Sequence, residues 1–526
     1  MRSLRAARAG LFLALLAYLA VGVADAAAEP TDYERDVLKI CEGVIRLFQE
    51  EPDRAWPGYS LARRSFVVYI PGKWALLFNA GRDVEGFGPC PADWPDLGAD
   101  VLYHEGSYAD LVGQLAFEYD VDGIRTMAIG FPETLSESLD NPELKMFGYI
   151  VHEAFHQYQY ELFGETSWAR EQEYPIEDRE NAALAYLEML ALINALEGVR
   201  DGDEDACRES IARFLALRDY RWSRADSFVP TYEQGQEVQE GTARYVELTS
   251  FDLMRGVEYT SAVSGTLSPL AEHFEGAAMP GYLIARFGDR MGDGYLPIED
   301  LFRNRIYPVG SAQGVLLDYL GVDWKARAEG DTPDFTYTSL LRDAVGVSQG
   351  DFPRLLADAK ARYGYDAVLA ATEEEIGRYL TGFREALGAF ESQPGRRVEV
   401  ALSSNGVYRS RVSTADKWVV DRGTRSLCSH YKVYTLETDD LFLEVHETGA
   451  LEEDDFRAYK KRVAFYVPEV ASITVDGEAL APDRDAALSF GAIEMAGNGF
   501  ALRSSRPGTI RLTGGRVVVD LIPASE

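Results

Sequence analysis

Residues 149–160 read YIVHEAFHQYQY, and the folding of this stretch decides how the middle of the chain is organised. Phe147, Ile150, Val151, Ala154, Phe155, Tyr158 and Leu162 recur at spacings of three and four, which predicts an amphipathic, buried helix over 144–163. On such a helix His152 and His156 stand at i and i+4, one above the other on a single face, with Glu153 about 100° around the axis. Two imidazoles so spaced grip one Zn²⁺, and H-E-x-x-H is the pattern that does so. The Glu153 carboxylate is then placed to take a proton from a water that zinc acidifies. The alternative is a core helix with two hydrogen-bonded histidines, but the chain has only 6 His, and two of them fall here. A second candidate pair, His104 and Glu105, fails because position 108 is Tyr.

A catalytic zinc needs a third protein ligand and one open position. The other histidines, His104, His273, His430 and His446, have no spacing that marks one as a ligand. Residues 240–247 read EGTARYVE, placing Glu240, Ala243 and Glu247 on one face of a helix predicted over 234–255. Gly241 and Ala243 are small enough to let that helix approach the metal helix. Glu240 is the expected zinc ligand, with Glu247 orienting a ligand imidazole from behind. Glu177, Glu180 and Glu188 on a helix predicted over 176–197 compete for the role. They share a face away from its apolar stripe, where solvent exposure is the default, and Glu180 is the best of them.

HEAFHQYQ followed downstream by EGTARYVE resembles the zincin metallopeptidases of the gluzincin type. The resemblance covers roughly residues 120–330. It implies His152, His156 and Glu240 as ligands of one Zn²⁺ and Glu153 as general base. It also implies a sheet beside the metal helix, whose substrate-binding edge strand would be Thr126–Phe131. Residues 302–320 (FRNRIYPVGSAQGVLLDYL) resemble the start of the helix that follows the ligand helix in such enzymes, and Tyr307 there is the expected oxyanion donor. The third H of a metzincin is absent.

Outward from this centre, residues 33–50 have helical spacing (Val37, Ile40, Val44, Leu47, Phe48). Apolar runs at 66–70, 74–78, 101–103 and 126–131, separated by Gly and Pro, predict a small sheet within 60–135. Residues 144–390 read as mainly helical. After Ser392-Gln393-Pro394-Gly395 the period changes to two, which predicts an all-β, sandwich-like domain over 395–526. The expected class is therefore α+β: a zincin-like domain over 27–393 with a small N-terminal sheet, followed by an all-β accessory domain.

Arg2, Arg5 and Arg8 precede an apolar run from Leu11 to Val23 that ends in Ala24-Asp25-Ala26, the composition of a signal peptide over 1–26 cleaved near Ala26. The mature chain is expected in the periplasm or outside the cell, with no further transmembrane span. The 526 residues are 46% hydrophobic, enough for more than one core, and the formal charge of −34 excludes nucleic acid as an expected partner. Cys41, Cys90, Cys207 and Cys428 would meet an oxidising environment, where pairs can form in any of three ways. The expected function is an exported zinc metallopeptidase acting on a peptide or protein substrate. The alternative is a catalytically inactive zincin-like protein serving as an extracellular binding or adhesion module.

Overall fold

The structure, a computed structural model, describes residues 29–522 except 109–110, 112–115, 138, 164–170, 331–334, 404–407, 414–416 and 456–457. The expected signal peptide lies outside these residues. The chain is α+β and forms two compact units: residues up to 164 with 243–282 and 325–332, and residues 165–242 with 283–324 and 333–526.

In the first unit, helix α1 (Asp32–Glu50) opens on a capping box in which the Thr31 side chain accepts from the Glu34 N–H and Glu34 accepts from the Thr31 N–H. Its Val37, Ile40, Val44, Leu47 and Phe48 are buried. The sheet comprises β1 (Phe66–Ile70), β2 (Trp74–Phe78), β3 (Gly88–Pro89), β4 (Val101–Glu105), β5 (Ala116–Val121) and β6 (Ile124–Gly130), in the order β3-β4-β2-β1-β6-β5. β1 and β2 are buried on both faces, which is why their sequences are continuously apolar rather than alternating. β6 runs parallel to β1 and antiparallel to β5, so the expectation that 126–131 is an edge strand is corrected. Val121-Asp122-Gly123-Ile124 is the cause. Asp122 and Gly123 both adopt positive φ, 52° and 78°, as a two-residue hairpin turn requires, and that hairpin covers the outer side of β6. Helix α2 (Pro142–Leu162) follows, its first turn capped by the Asn141 side chain with Pro142 at the first helical position.

The second unit begins with α3 (Arg179–Asp201) and α4 (Glu204–Arg224), joined through Gly202 at φ 70° and the capping side chain of Asp203. Helix α5 (Phe228–Met254) runs unbroken from this unit into the first. Then come α6 (Ile306–Tyr319), α7 (Tyr337–Val345), α8 (Phe352–Arg362) and α9 (Tyr365–Glu391). By length and composition α3 could cross a membrane, but it is mostly buried in this unit and carries Glu188, which is ion-paired.

From Arg396 onward, among the described residues, thirteen strands hydrogen-bond into one sheet that encloses a core including Val398, Leu436, Leu443, Phe465, Leu502 and Val519. Sandwich-like closure comes from one long hairpin, Arg425–Thr438 with Leu441–Asp455. The second strand pairs Phe500–Ser504 through residues 441–445 and Lys460–Phe465 through 450–455, so it serves both layers. The change falls at Gly449, where a Cβ would stand 2.8 Å from the Ser429 carbonyl oxygen, opposite a register shift between Cys428 and Tyr431. Helix α9 covers the outside of this hairpin with Phe383 and Phe390 against Leu427 and Leu451. All four cysteines are unpaired, so none of the three possible pairings forms.

Helices α3, α4, α5 and the start of α6 meet at buried charges. Arg218 pairs with Glu188 (3.0 Å) and Glu237 (2.7 Å), Arg221 with Glu188 (2.6 Å) and Glu233 (2.6 Å), and Arg305 with Glu233. The expected exposure of Glu188 is thereby corrected: two arginines from α4 neutralise it in the interior. Burial raises the Glu233 carboxyl, but Arg221 and Arg305 outweigh it and hold it well below the usual carboxylate range. Three arginines balance three glutamates, the condition under which buried ions persist. Replacing Arg221 by Met leaves three buried carboxylates with two guanidinium groups, and denaturant unfolding is expected to show a loss of about 3–5 kcal/mol.

Candidate metal centre

Helix α2 is locked before its histidines come into play. Phe147, Ile150, Val151, Ala154 and Phe155 are fully buried. The Gln157 side chain donates to the Arg125 carbonyl on β6 (2.7 Å), and the Tyr158 hydroxyl donates to Glu329 (2.6 Å), which also accepts from the Trp56 indole (2.6 Å). These contacts fix the rotation of the helix about its axis and so the direction of its polar face.

That face carries His152 and His156, each 6% exposed, with ring centroids 4.9 Å apart. Nδ1 of His156 lies 2.6 Å from Oε1 of Gln159, three residues on. Nδ1 of His152 lies 3.4 Å from Oε2 of Glu247. A carbonyl and a carboxylate can only accept, so each Nδ1 carries the proton and each ring presents the lone pair of Nε2 on its other side. Arg244 is ion-paired to Glu247. Burial raises the Glu247 carboxyl, yet Arg244 and His152 more than offset it and keep it below the usual range, hence charged and able to accept.

Close approach at Glu247 depends on a glycine of α2: a Cβ on Gly148 would stand 2.6 Å from Glu247 Oε1 and 2.7 Å from Phe251 Cζ. The expectation that Gly241 serves this contact is corrected. Its close neighbour is Gly310 of α6, whose Cα lies 2.5 Å from where a Gly241 Cβ would be. Gly241 therefore seats α5 against α6, and Gly148 makes the room at the metal helix.

Glu233, Glu237, Glu240, Arg244 and Glu247 follow one face of α5 at spacings of four, three, four and three. Glu233 and Glu237 are held by the arginine network, and Glu247 by Arg244 and His152. Between them, Glu240 offers a carboxylate oxygen that, with a nitrogen of His152 and one of His156, forms a group whose ligand atoms lie within 4.8 Å of one another. Two imidazoles and one carboxylate are the donor set zinc takes when one position stays open. The competing carboxylates are engaged elsewhere. Glu180 is bound by Arg224 (3.1 Å) and the Tyr220 hydroxyl (3.2 Å), Glu177 accepts from the Asp421 N–H (3.4 Å), and Glu188 belongs to the buried network. Glu153, next to His152 on α2, is half-buried.

Tyr307 lies in the first turn of α6, one turn before Gly310, and is half-buried. Its partner is Arg303, one turn earlier and absent from the sequence-based site. Burial lowers the Arg303 guanidinium, but Glu171 at 3.3 Å, a hydrogen bond with Tyr307 and the nearby Glu240 raise it overall. The i, i+4 spacing of Arg303 and Tyr307 was the available signal. Arg303 also lines a cavity of about 320 Å³ with Ile176, Phe302, Tyr379 and Val419 as its apolar wall. A larger cavity, about 1100 Å³ beside Leu270 and His273, includes neither His152 nor His156 in its lining.

Chelator competition should rank the carboxylates. Glu240→Ala is expected to abolish tight zinc binding, Glu247→Gln to weaken it about 10- to 100-fold, and Glu180→Ala to leave it unchanged. A loss confined to Glu180→Ala would transfer the ligand role to Glu180. The chain matches no protein-family model, no curated protein and no solved structure.

Proposed function

We propose that this chain is an exported zinc-dependent metallohydrolase that cleaves peptide bonds. The observation that carries the reading is the gathering of His152, His156 and Glu240 with Glu153 one residue from the first histidine on the same helix. A zinc ion supplies Lewis acidity to a scissile carbonyl and an attacking water. The residues of the chain do the rest. His152 and His156 present Nε2 because Glu247 and Gln159 hold the opposite nitrogens. Glu153 takes a proton from the attacking water and returns it to the leaving amine, since a base that has accepted a proton in one step is the nearest acid in the next. Tyr307 donates its phenolic proton to the developing oxyanion, and Arg303, hydrogen-bonded to it, keeps the ring in place and adds positive potential. A purely structural zinc site, closed by four protein ligands, has no need of a carboxylate beside the metal. Among the described residues the cluster has three ligand groups, and Glu153 stands beside one of them in the chain.

Two variants test the assignment on the purified mature chain with a fluorogenic peptide library. Glu153→Gln is expected to keep zinc at one equivalent and to lower hydrolysis about 100- to 10,000-fold. Zinc-replete protein that cleaves equally well without Glu153 would overturn the reading. Tyr307→Phe is expected to lower kcat by about 100-fold or more with little change in KM, the pattern of an interaction made in the transition state. Chelation should abolish hydrolysis, and added Zn²⁺ should restore it.

A further inference from the structure

The β-rich part of the second unit holds a buried nucleophile that metal chemistry does not use. Lys461 is 0% exposed in its side chain, its Nζ lies 2.7 Å from Oδ2 of Asp454, and it is also ion-paired to Glu452. The side chains of Glu452 and Asp454 are 2% and 12% exposed. Register explains the grouping. Asp454 and Lys461 are direct cross-strand partners, while Glu452 is opposite Val463 and therefore diagonal to Lys461 on the same face. On its other side Lys461 faces Leu402. Val463, Ala450 and Leu402 all belong to the enclosed core, so the lysine ends among apolar side chains at the rim of that core.

Lysine is almost never fully buried, and burying one cation with two carboxylates leaves an unbalanced charge. A proton passed from the ammonium to a carboxylate leaves an amine nucleophile in hydrogen-bond reach of a carboxyl group, an arrangement set for acyl transfer by proximity. We propose that Lys461 and Asp454 become joined by an amide bond between Lys461 Nζ and Asp454 Cγ, with Glu452 as proton carrier. Neutral Nζ attacks the Cγ of protonated Asp454, and the new C–N bond forms as a C–O bond breaks. Glu452 accepts a proton from Nζ and delivers it to the departing hydroxyl, which leaves as water. No oxidant or cofactor enters the balance. The product replaces a buried ion pair by a neutral amide and ties the strand Leu441–Asp455 to Lys460–Val467 in a module whose one cysteine, Cys428, is unpaired. The assignment is independent of the metal centre.

Mass spectrometry of the reduced, mature wild-type chain decides the matter. The expected result is a chain one water lighter than its sequence, with a proteolytic map in which the Lys461 and Asp454 peptides are joined through their side chains. Lys461→Met and Asp454→Ala should each restore the full mass. Glu452→Gln should give the full mass while keeping the strand register, read by circular dichroism. Separate, unmodified Lys461 and Asp454 peptides in the wild type would overturn the proposal, as would loss of water at another residue. A joined peptide at native yield in Glu452→Gln would overturn the role of Glu452.

Discussion

Three arginines and three glutamates, paired out of contact with water, hold the N-terminal half of α5, and the geometry of the candidate metal centre depends on them. Arg218, Arg221 and Arg305 come from two other helical regions and converge on Glu188, Glu233 and Glu237. A buried ion whose partner is displaced costs several kcal/mol, so the helices that supply these groups cannot slide past one another independently. Glu240 stands one turn beyond Glu237 on the same helix and inherits that fixed position.

The face of α5 is thus divided by task along its length. Glu233 and Glu237 anchor, Glu240 faces the histidines, and Arg244 with Glu247 braces His152 from behind. Two glycine contacts allow this helix to sit where it does: Gly241 on Gly310 of α6, and Gly148 of α2 beneath Glu247 and Phe251. In each case any side chain would fill space held by a neighbouring atom, so shape and charge act together. The sheet contributes at one remove, through Gln157 on the Arg125 carbonyl and the packing of α2 against β6.

Much of this was legible along the chain. Helical periodicity located α1 and α2 to within two residues at each end and the C-terminal end of α5 to within one, because their apolar residues recur at a spacing that burial demands; α5 itself starts six residues before the expected 234. The period-two texture after Gly395 announced the β-rich region. His152, Glu153, His156, Glu240 and the bracing role of Glu247 all follow from spacing on two helices. Arg303 was legible only as a neighbour of Tyr307 at i, i+4, because its pairing with Glu171 depends on a segment distant in sequence. The buried state of Glu188 depends on tertiary contacts: a glutamate on the polar face of an isolated helix looks solvated until two arginines from another helix cover it. The place of β6 inside its sheet is signalled by Asp122-Gly123, a turn that joins β6 to a further strand.

The division between the two sources is therefore physical. Sequence alone determined that α2 and α5 form, where α2 begins and ends to within two residues, and that two imidazoles and a carboxylate lie together on one turn of one helix. Those are consequences of backbone period and local capping, which act within a few residues. Tertiary structure alone decided that the competing carboxylates are engaged elsewhere, which glycine makes room for the second helix, and which charges are buried. Those outcomes depend on contacts between segments distant in sequence, where a charge is stable only if its partner arrives from elsewhere in the chain.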